Sequence, residues 1–368
     1  MRRALILCLS VTAMLAAPAA AGVVNPDISV IGQPFLSISD QPEDPDRNRL
    51  KAAAGETEIV LDAYLNPYAK GYFTLAIGEE GAELEEGYFS VLRGLPLGLN
   101  LKGGKYRVGF GKMNPLHPHT YPFAEPLTVL TTYLPGEESF NDVGISLSAR
   151  IPLFGDAGLT AALDYLDGQS FRVERAPGDT LDPLLTDTGD KQELTRPGVA
   201  ARLSGFAPLG ERSGIEFGIS AAGGTNNVAA RARTEVYGAD LKAKLWNSSR
   251  SYLVIQGEVI ALDREQATWR PEAGYAKTAV TPTGGYLFAD YNFGLRYNAG
   301  ISYESYQEPN VEEGWSRALG IFAGYAVMEE TLLFRLVYQR LEPDAGEPEN
   351  SARLHVIFSM GPHKAHQF

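Results

Sequence analysis

The sequence predicts an all-β fold, a transmembrane antiparallel β-barrel of about 16 strands (roughly 14–18). Three observations support this prediction. Polar and apolar residues alternate with period two through almost everything after residue 55, and no window of similar length shows a helical period. The apolar rows are thin and the polar rows are rich in charge, as in strands that separate lipid from water. Short and long connections alternate along the chain.

The alternation is clearest at residues 143–151, where Val143, Ile145 and Leu147 share one face and glycine, serine and arginine share the other. The same pattern predicts strands at 59–65, 106–110, 215–221, 236–245, 294–305, 319–327 and 354–360. A bacterial barrel of one chain has an even number of strands, so we place the first strand at 28–37.

The composition of the two faces indicates which side each one meets. The polar rows contain Gly, Ser, Asp, Lys and Arg, whereas the apolar rows are a coat of Leu, Val, Ile and Ala with aromatic residues near the strand ends. Lipid-facing strands have an apolar band, aromatic girdles at both interfaces and a polar lumen. A soluble barrel or sandwich, with the apolar rows forming the core, stays open as the alternative.

The connections predict the orientation of the barrel. The short ones lie at 66–67, 94–98, 152–158, 207–214, 246–251, near 292 and at 328–330. The longer ones include 41–54, 113–140, 168–195, 264–283, 306–315 and 343–350. Such alternation is typical of short periplasmic turns and long extracellular loops.

Residues 1–21 form a predicted signal peptide. Arg2 and Arg3 precede a short apolar run, and an alanine-rich stretch places the cleavage site after Ala21. Residues 22–368 are then one barrel domain in the outer membrane. The single cysteine, Cys8, lies within the signal, so neither disulfides nor cysteine-bound zinc are expected. Phe368 at the end of the last strand resembles the signal that outer-membrane barrels present to the barrel-assembly machinery.

Other classes of protein are excluded by composition. The 368 residues carry a net charge of −13, which disfavours nucleic acid as a partner. After the N-terminus no run approaches the ~20 apolar residues of a spanning helix. No Gly-x-Ser-x-Gly or His-Glu-x-x-His motif occurs, so we expect no enzymatic activity.

Several motifs resemble those of a group of Gram-negative outer-membrane barrels. They are residues 25–32 (NPDISVIG), 65–69 (LNPYA), 103–112 (GGKYRVGFGK), 114–119 (NPLHPH) and 361–366 (GPHKAH). Members of this group are described as porin-like or as zinc-regulated TonB-dependent outer-membrane receptors, and the strand plan is also similar to that of the phosphate-selective porin superfamily. The resemblance implies the barrel fold. It does not extend to TonB-dependent transport, because a 22-stranded barrel with a plug leaves no room in this chain.

The polar rows supply the predicted pore-lining residues. They are Lys105, Arg107, Arg150, Asp164, Arg202, Glu216, Asp240, Lys242, Lys244, Glu258, Arg296, Glu304, Arg335 and Arg353. The two signs of charge nearly cancel in the polar rows as a whole. They can therefore form salt bridges that stiffen the wall or fixed charges that select ions, and the sequence does not choose between these roles.

The residues at 113–140 and the histidines leave two further questions open. The apolar loop at 113–140 either narrows the lumen from inside or caps the mouth from outside. His117, His119, His363 and His366 are candidate metal ligands, with zinc as the candidate ion and polar interfacial residues as the alternative reading. The topology places the first two on the outer side and the last two at the periplasmic end, so they do not form one shared site.

These observations predict a porin-like channel for passive diffusion of small hydrophilic solutes or ions across the outer membrane. The expected partners are outer-membrane lipid and the solutes themselves, and a homotrimer is compatible with the plan. The alternative is a zinc-linked uptake or binding barrel, and apart from zinc no cofactor is expected.

Overall fold

The strands of the protein form one continuous antiparallel sheet that closes on itself. The computed structural model describes residues 26–42, 44–79, 81–173, 195–270, 273–309, 314–328 and 331–361. The predicted signal peptide, His363, His366, Phe368 and most of the loop at 168–195 lie outside the described residues.

The strands follow one another around the sheet in chain order. They are β1 (Asp27–Gly32), β2 (Phe35–Ser39), β3 (Lys51–Ala53), β4 (Thr57–Asn66), β5 (Ala69–Gly78), β6 (Gly81–Val91), β7 (Leu99–Arg107), β8 (Asn141–Pro152), β9 (Gly158–Leu166), β10 (Gly198–Leu209), β11 (Ser213–Asn227), β12 (Ala232–Trp246), β13 (Tyr252–Arg270), β14 (Gly274–Val280), β15 (Thr283–Phe293), β16 (Tyr297–Tyr306), β17 (Ser316–Met328), β18 (Leu332–Glu342) and β19 (Glu349–Met360).

The ring has sixteen wall positions, which confirms the predicted number. β1 and β2 are two halves of one wall strand, because both pair with β19. β3 and β4 are likewise halves of the next one. β14 and β15 pair with β13 in one continuous register, with Arg264 opposite Val280 and Ala261 opposite Thr283, so they are two segments of one wall strand and β14 is its extension at the loop-bearing end.

The first wall strand is broken where the sequence predicts a single strand at 28–37. Pro34 has no N–H to give to the sheet, and its carbonyl oxygen instead accepts the N–H of Val356 at 2.9 Å. On the other side, Gln33 donates its backbone N–H to the carbonyl oxygen of Glu56 at 3.1 Å. The break therefore interrupts the regular ladder without opening the barrel.

The two ends of the barrel differ in the length of their connections. β1 begins and β19 ends at the same rim, because Val30 lies opposite Met360. At this rim the connections are short, such as those from β4 to β5 and from β10 to β11. The connections at the other rim include the long segments after β2, β7 and β9. The predicted alternation of tight turns and long loops is confirmed.

The outer surface is apolar, which settles the direction of the two faces. Along β17, Leu319 and Ile321 are 42% and 55% exposed, whereas Phe322 on the inner row is 1% exposed. Val143, Ile145 and Leu147 of β8 are also exposed. An apolar band of this extent is stable against hydrocarbon and not against water.

The loop at 113–140 lies inside the barrel, so the external cap is wrong. Its side chains at Met113, Tyr121, Leu127 and Tyr133 are almost completely buried. It contains a 3₁₀ turn, Pro118–Thr120, and one short helix, α1 (Thr128–Tyr133). No helix among the described residues is long and apolar enough to cross a membrane.

Three predicted segments differ from the structure. The residues at 264–283 are not a loop, because β13 continues to Arg270 and β14 returns beside it. The strand predicted at 106–110 ends at Arg107, after which the chain turns into the lumen. The strand predicted at 294–305 begins at Tyr297, since residues 294–296 form a tight turn with positive φ at Gly294 and Leu295.

The assignment of the outer face predicts the effect of a charge placed on it. Ile219 lies near the middle of β11 and is 60% exposed. Replacing it by lysine (Ile219→Lys) should lower the free energy of unfolding from lipid vesicles by about 2–4 kcal/mol, because the ammonium group would enter hydrocarbon. Urea titration of the refolded barrel measures this change.

Glu211 in the turn between β10 and β11 provides the control. Glu211→Lys should leave stability nearly unchanged, since this side chain is exposed at the rim. Equal stability of Ile219→Lys and wild type would mean that water, not lipid, meets the outer face.

Candidate functional site

Residues 108–140 are called the lumen loop here. The side chain of Asn114, called the asparagine clasp, joins the two ends of this loop. Asn114 donates its Nδ2 hydrogens to the carbonyl oxygens of Val108, at 2.7 Å, and Phe140, at 3.0 Å. Its Oδ1 accepts the N–H of Phe140 at 2.8 Å. The two ends of the loop are thereby held together inside the wall between β7 and β8.

A buried glutamate on β13 holds the first turn of the lumen loop. Glu258 is 3% exposed, and its Oε1 accepts the N–H groups of Lys112 at 2.6 Å and Met113 at 3.0 Å. The hydroxyl of Tyr286 on the neighbouring strand donates to the same oxygen at 2.7 Å. Backbone N–H groups at this depth have no bulk water to pair with, so the wall supplies the acceptor.

A second wall glutamate and a tyrosine hold the helical part of the loop. Glu304 of β16 accepts the N–H of Val129 at 3.1 Å, in the first turn of α1, where the N–H groups have no partner within the helix. At the other end of α1, the Tyr133 hydroxyl is 2.9 Å from both the carbonyl oxygen and the N–H of Gln307, donating to the first and accepting from the second.

The third attachment is a cluster of two histidines and three glutamates. His117 Nε2 lies 3.0 Å from Glu86 Oε2, and His119 Nδ1 lies 2.8 Å from Glu58 Oε1. A β-bulge brings Glu85 and Glu86 to the same side, because Thr74 pairs with Glu86 while the next residue of β5 already pairs with Leu84. Arg107 binds Glu85 through Nε at 2.9 Å.

The pKa of His117 reflects the carboxylates that surround it. Burial by itself lowers the pKa of His117, but the three neighbouring glutamates outweigh burial and raise the pKa well above its usual value near 6.5.

Apolar contacts complete the seat of the lumen loop. The ring of Phe123 packs edge to face on Phe288 and Phe322, with centroids 5.5 and 6.1 Å away. Phe110 lies over Gly238, where a Cβ atom would come within 2.8 Å of its ring. The inner rows at these positions are thus apolar, which corrects the expectation of a polar lumen throughout.

Open space remains between the lumen loop and the wall. At the loop-bearing rim there is a cavity of about 790 Å³, bordered by residues such as Asp44, Glu79 and Glu349. A smaller cavity of about 30 Å³ lies beside Phe123 and Glu125, and Glu125 borders both. On the far side, toward the short turns, lies a cavity of about 270 Å³ that His119 and Arg335 help to line.

The region around the 30 Å³ cavity, called the neck here, is bordered by few side chains. Arg335 is 5% exposed and donates from Nη1 to the carbonyl oxygen of Phe123 at 3.3 Å. Arg353 forms an ion pair with Glu125 of the lumen loop and lies over the ring of Phe35, 4.3 Å from its centroid. Arg353 therefore lines the neck, and Arg335 stands on its inner-cavity side.

Most of the predicted pore-lining residues lie on inward rows. The strand registers place eleven of them there: Arg150, Asp164, Arg202, Glu216, Asp240, Lys242, Lys244, Glu258, Glu304, Arg335 and Arg353. Of these, Lys242 and Arg335 line the inner cavity, and Glu304 and Arg353 line the neck.

Other predicted pore-lining residues form ion pairs with the wall or with the lumen loop. Arg202 pairs with Asp240, with Nη1 and Oδ2 2.6 Å apart. Glu216 pairs with Lys112 of the lumen loop. Arg150, Arg202 and Glu216 line a separate cavity of about 220 Å³. For Arg202 and Glu216 the structural pairing that the sequence left open is the arrangement observed.

Three predicted pore residues are placed elsewhere. Lys105 lies on the outward row, opposite Val143, and pairs with Glu83 at 2.8 Å. Arg107 is buried, but it binds the lumen-loop attachment and lines none of these cavities. Arg296 belongs to the turn before β16 and borders the inner cavity from the rim.

The histidines also depart from their predicted position. His117 and His119 are inside the lumen and not at the outer surface, since each is less than 9% exposed. The sequence offered no carboxylate near them. Their glutamate partners come from β4 and β6, 61 and 31 residues away along the chain, so only the fold joins them.

Phe123 and Glu125 are neck residues that the pore predictions omit. Both lie in a loop without periodicity, which gives no indication of direction. Asp290, which belongs to the polar row of its strand in the sequence, lines the inner cavity and accepts hydrogen bonds from Asn292 and Asn298.

The architecture and the inward loop define the class of the protein as a porin-like β-barrel of the outer-membrane type. The anion-selective porin from Comamonas acidovorans superposes with a TM-score of 0.59 at 11% identity, covering 91% of this chain and 99% of that chain. The outer-membrane channel DcaP of Acinetobacter baumannii gives 0.58 at 10% identity, with 92% and 99% covered. Salmonella typhi OmpF, in complex with daunomycin, gives 0.57 at 11% identity, with 91% and 97% covered.

Comparison of sequences adds one relative of unassigned function. An uncharacterised protein of Aquifex aeolicus (strain VF5) is 31% identical over 264 residues, which is 67% of this chain. The chain spans about half the length of that relative, 52%. No family model matches the sequence. The comparisons support the porin-like part of the resemblance drawn from the motifs and give no support to TonB-dependent transport.

The asparagine clasp generates a prediction of stability. Replacing the clasp residue by alanine (Asn114→Ala) removes three buried hydrogen bonds and leaves the backbone N–H of Phe140 without its acceptor. We expect the free energy of unfolding in lipid vesicles to fall by about 2–4 kcal/mol. Denaturant titration followed by tryptophan fluorescence measures it.

A surface asparagine gives the comparison. Asn247 makes one exposed hydrogen bond to Tyr291, so Asn247→Ala should cost less than about 1 kcal/mol. Losses of equal size in the two variants would contradict the role given to Asn114.

Proposed function

We propose that the protein is a passive diffusion channel of the Gram-negative outer membrane for small hydrophilic solutes and ions. The observation that carries the proposal is the row of cavities inside the barrel, one toward the loop-bearing rim, one at the neck and one toward the short turns. Among the described residues, no domain other than the lumen loop fills the barrel.

The size of the neck supports small solutes. About 30 Å³ of space beside Phe123 accommodates a few water molecules at most, whereas the cavity on the outer side is many times larger. A pore of this profile favours ions and compact polar molecules, and its open radius depends on how far the Phe123 ring and the Arg335 side chain can move.

The charge of the neck supports a preference among ions. Arg353 lines the neck and pairs with Glu125, while Arg335 contacts Phe123 from the inner-cavity side. Fixed charges at a constriction act at short range and set selectivity more strongly than charges at the mouth, which salt screens over ~8 Å. Glu304 also lines the neck, so removal of any one of these charges changes the balance of sign there.

The remaining parts of the proposal concern location and assembly. A cleaved signal peptide at 1–21 would deliver the chain to the periplasm, and the apolar outer face would then be inserted by the barrel-assembly machinery. A homotrimer is compatible with this plan, and a Vibrio cholerae outer-membrane protein of similar fold is known in a trimer form.

The alternative of a zinc-uptake barrel receives less support. Transport of a metal ion would require ligands along the open path. The histidine cluster instead lies between the lumen loop and the wall, where Glu58 is 0% exposed and His117 is 6% exposed. Only His119 reaches the inner cavity.

Removing the phenyl ring at the neck predicts a larger pore. Phe123→Ala should raise the single-channel conductance in planar lipid bilayers severalfold, because the ring closes the narrowest part. Phe171→Ala is the control, since this ring is equally buried but packs on Phe140 away from the neck. Absence of conductance from both folded wild type and Phe123→Ala would refute the channel.

The guanidinium groups predict the sign of selectivity. Arg335→Gln should shift the reversal potential in a salt gradient toward cation preference, because a fixed positive charge leaves the inner-cavity side of the neck. Arg150→Gln removes the same charge from the separate cavity and should shift it much less. Equal shifts would show that the neck does not control ion passage.

A further inference from the structure

Three buried atoms of different strands and of the lumen loop converge on one point. They are Oε2 of Glu58 on β4, Oε2 of Glu85 on β6 and Nδ1 of His117. His117 Nδ1 lies 3.2 Å from the first and 3.1 Å from the second. Among the residues that the structure describes, none of these three atoms has a hydrogen-bond partner. Buried polar atoms without partners are rare and costly, so this convergence requires an explanation.

A proton does not provide one. A hydrogen on Nδ1 lies in the plane of the imidazole ring and can point at one acceptor well, whereas two carboxylate oxygens compete for it here. Neither contact has the geometry of a hydrogen bond. Protonated His117 would therefore leave at least one of the two glutamate oxygens unsatisfied.

The distances agree with the spacing of ligands around a small cation. Two ligands bound ~2.0 Å from a tetrahedral metal lie roughly 3.3 Å apart, as follows from Zn–N and Zn–O bond lengths. The observed separations of 3.1 and 3.2 Å are close to this value.

The other polar atoms of His117 and Glu58 are held by hydrogen bonds to neighbouring side chains. The second ring nitrogen of His117, Nε2, lies 3.0 Å from Glu86 Oε2 and donates to it. Glu58 Oε1 receives His119 Nδ1 at 2.8 Å and Gln33 Nε2 at 3.3 Å. A histidine that binds a metal through one nitrogen and donates to a carboxylate through the other is the usual arrangement at such centres.

The remaining glutamate is oriented in the same way, and the charge balance points in the same direction. Glu85 Oε1 accepts a hydrogen bond from the guanidinium of Arg107, and Oε2 is left directed at the convergence point. Three carboxylates then face one guanidinium, and two positive charges are missing when the histidines are neutral. A divalent cation supplies them.

We propose that Glu58, Glu85 and His117 bind a divalent transition-metal ion, with zinc as the best fit, which fastens the lumen loop to β4 and β6. Mixed imidazole and carboxylate ligands at short separations favour zinc over calcium and magnesium, which prefer oxygen ligands and higher coordination numbers. His119 borders the inner cavity, so water and the ion reach the cluster from that side. The site is structural and does not depend on whether the barrel conducts.

Zinc titration of the refolded full barrel tests the proposal. After treatment with a chelator, wild type should bind one zinc ion per chain in isothermal titration calorimetry, and His117→Ala should lose this event. Glu86→Gln should weaken binding by about 10–100-fold, because it removes the charge that supports the histidine ligand. Cobalt in place of zinc should give the visible absorption of a four-coordinate centre in wild type.

Controls separate the site from other ligands. His355→Ala should leave zinc binding unchanged, because His355 is buried against Phe35 on a different part of the wall. If His117→Ala does not refold, Glu85→Gln decides, since its amide oxygen can still accept from Arg107. Wild type that binds no zinc, or zinc binding that persists with the same affinity in both cluster variants, would overturn the proposal.

Discussion

The rest of the structure depends on one constraint: irregular backbone at membrane depth must find its hydrogen-bond partners within the protein. The lumen loop places such backbone inside the barrel, and buried carboxylates of the wall accept hydrogen bonds from it. Glu258 accepts two of its backbone N–H groups, and Glu304 accepts one at the start of α1. Glu58 and its neighbours hold the histidines. The acidic residues of the inner rows are in this way part of the support for the loop as well as part of the lumen surface.

The lumen loop also borders the open space inside the barrel. Its Phe123 covers Phe288 and Phe322 on the wall. Arg335 donates to the carbonyl oxygen of Phe123, and Arg353 pairs with Glu125 of the loop. The position of both guanidinium groups beside the cavities therefore depends on where the loop packs.

Some of this site was accessible from the strand pattern, and some was not. The inward direction of Arg335 and Arg353 follows from the strand pattern, because they lie on regular strands whose apolar row meets lipid. Lys105 was predicted on the wrong face because the apolar residues next to it, Tyr106 and Phe110, point inward and pack in the lumen. An alternating row shows which face of a strand avoids water. It does not show whether that face meets lipid or a loop packed inside the barrel. Phe123 has no periodic neighbours at all, so its direction could not be inferred.

The sequence by itself determined the barrel, its sixteen strands, the apolar outer surface and the alternation of short and long connections. Period two is a local property of the chain, and a closed antiparallel sheet in lipid is the arrangement that satisfies it along the whole length. Only the tertiary structure decided the path of the lumen loop, the position of the neck and which carboxylates surround His117. These depend on contacts between residues far apart in the chain, such as Glu58 with His119, and no local pattern encodes which distant strands a loop will meet.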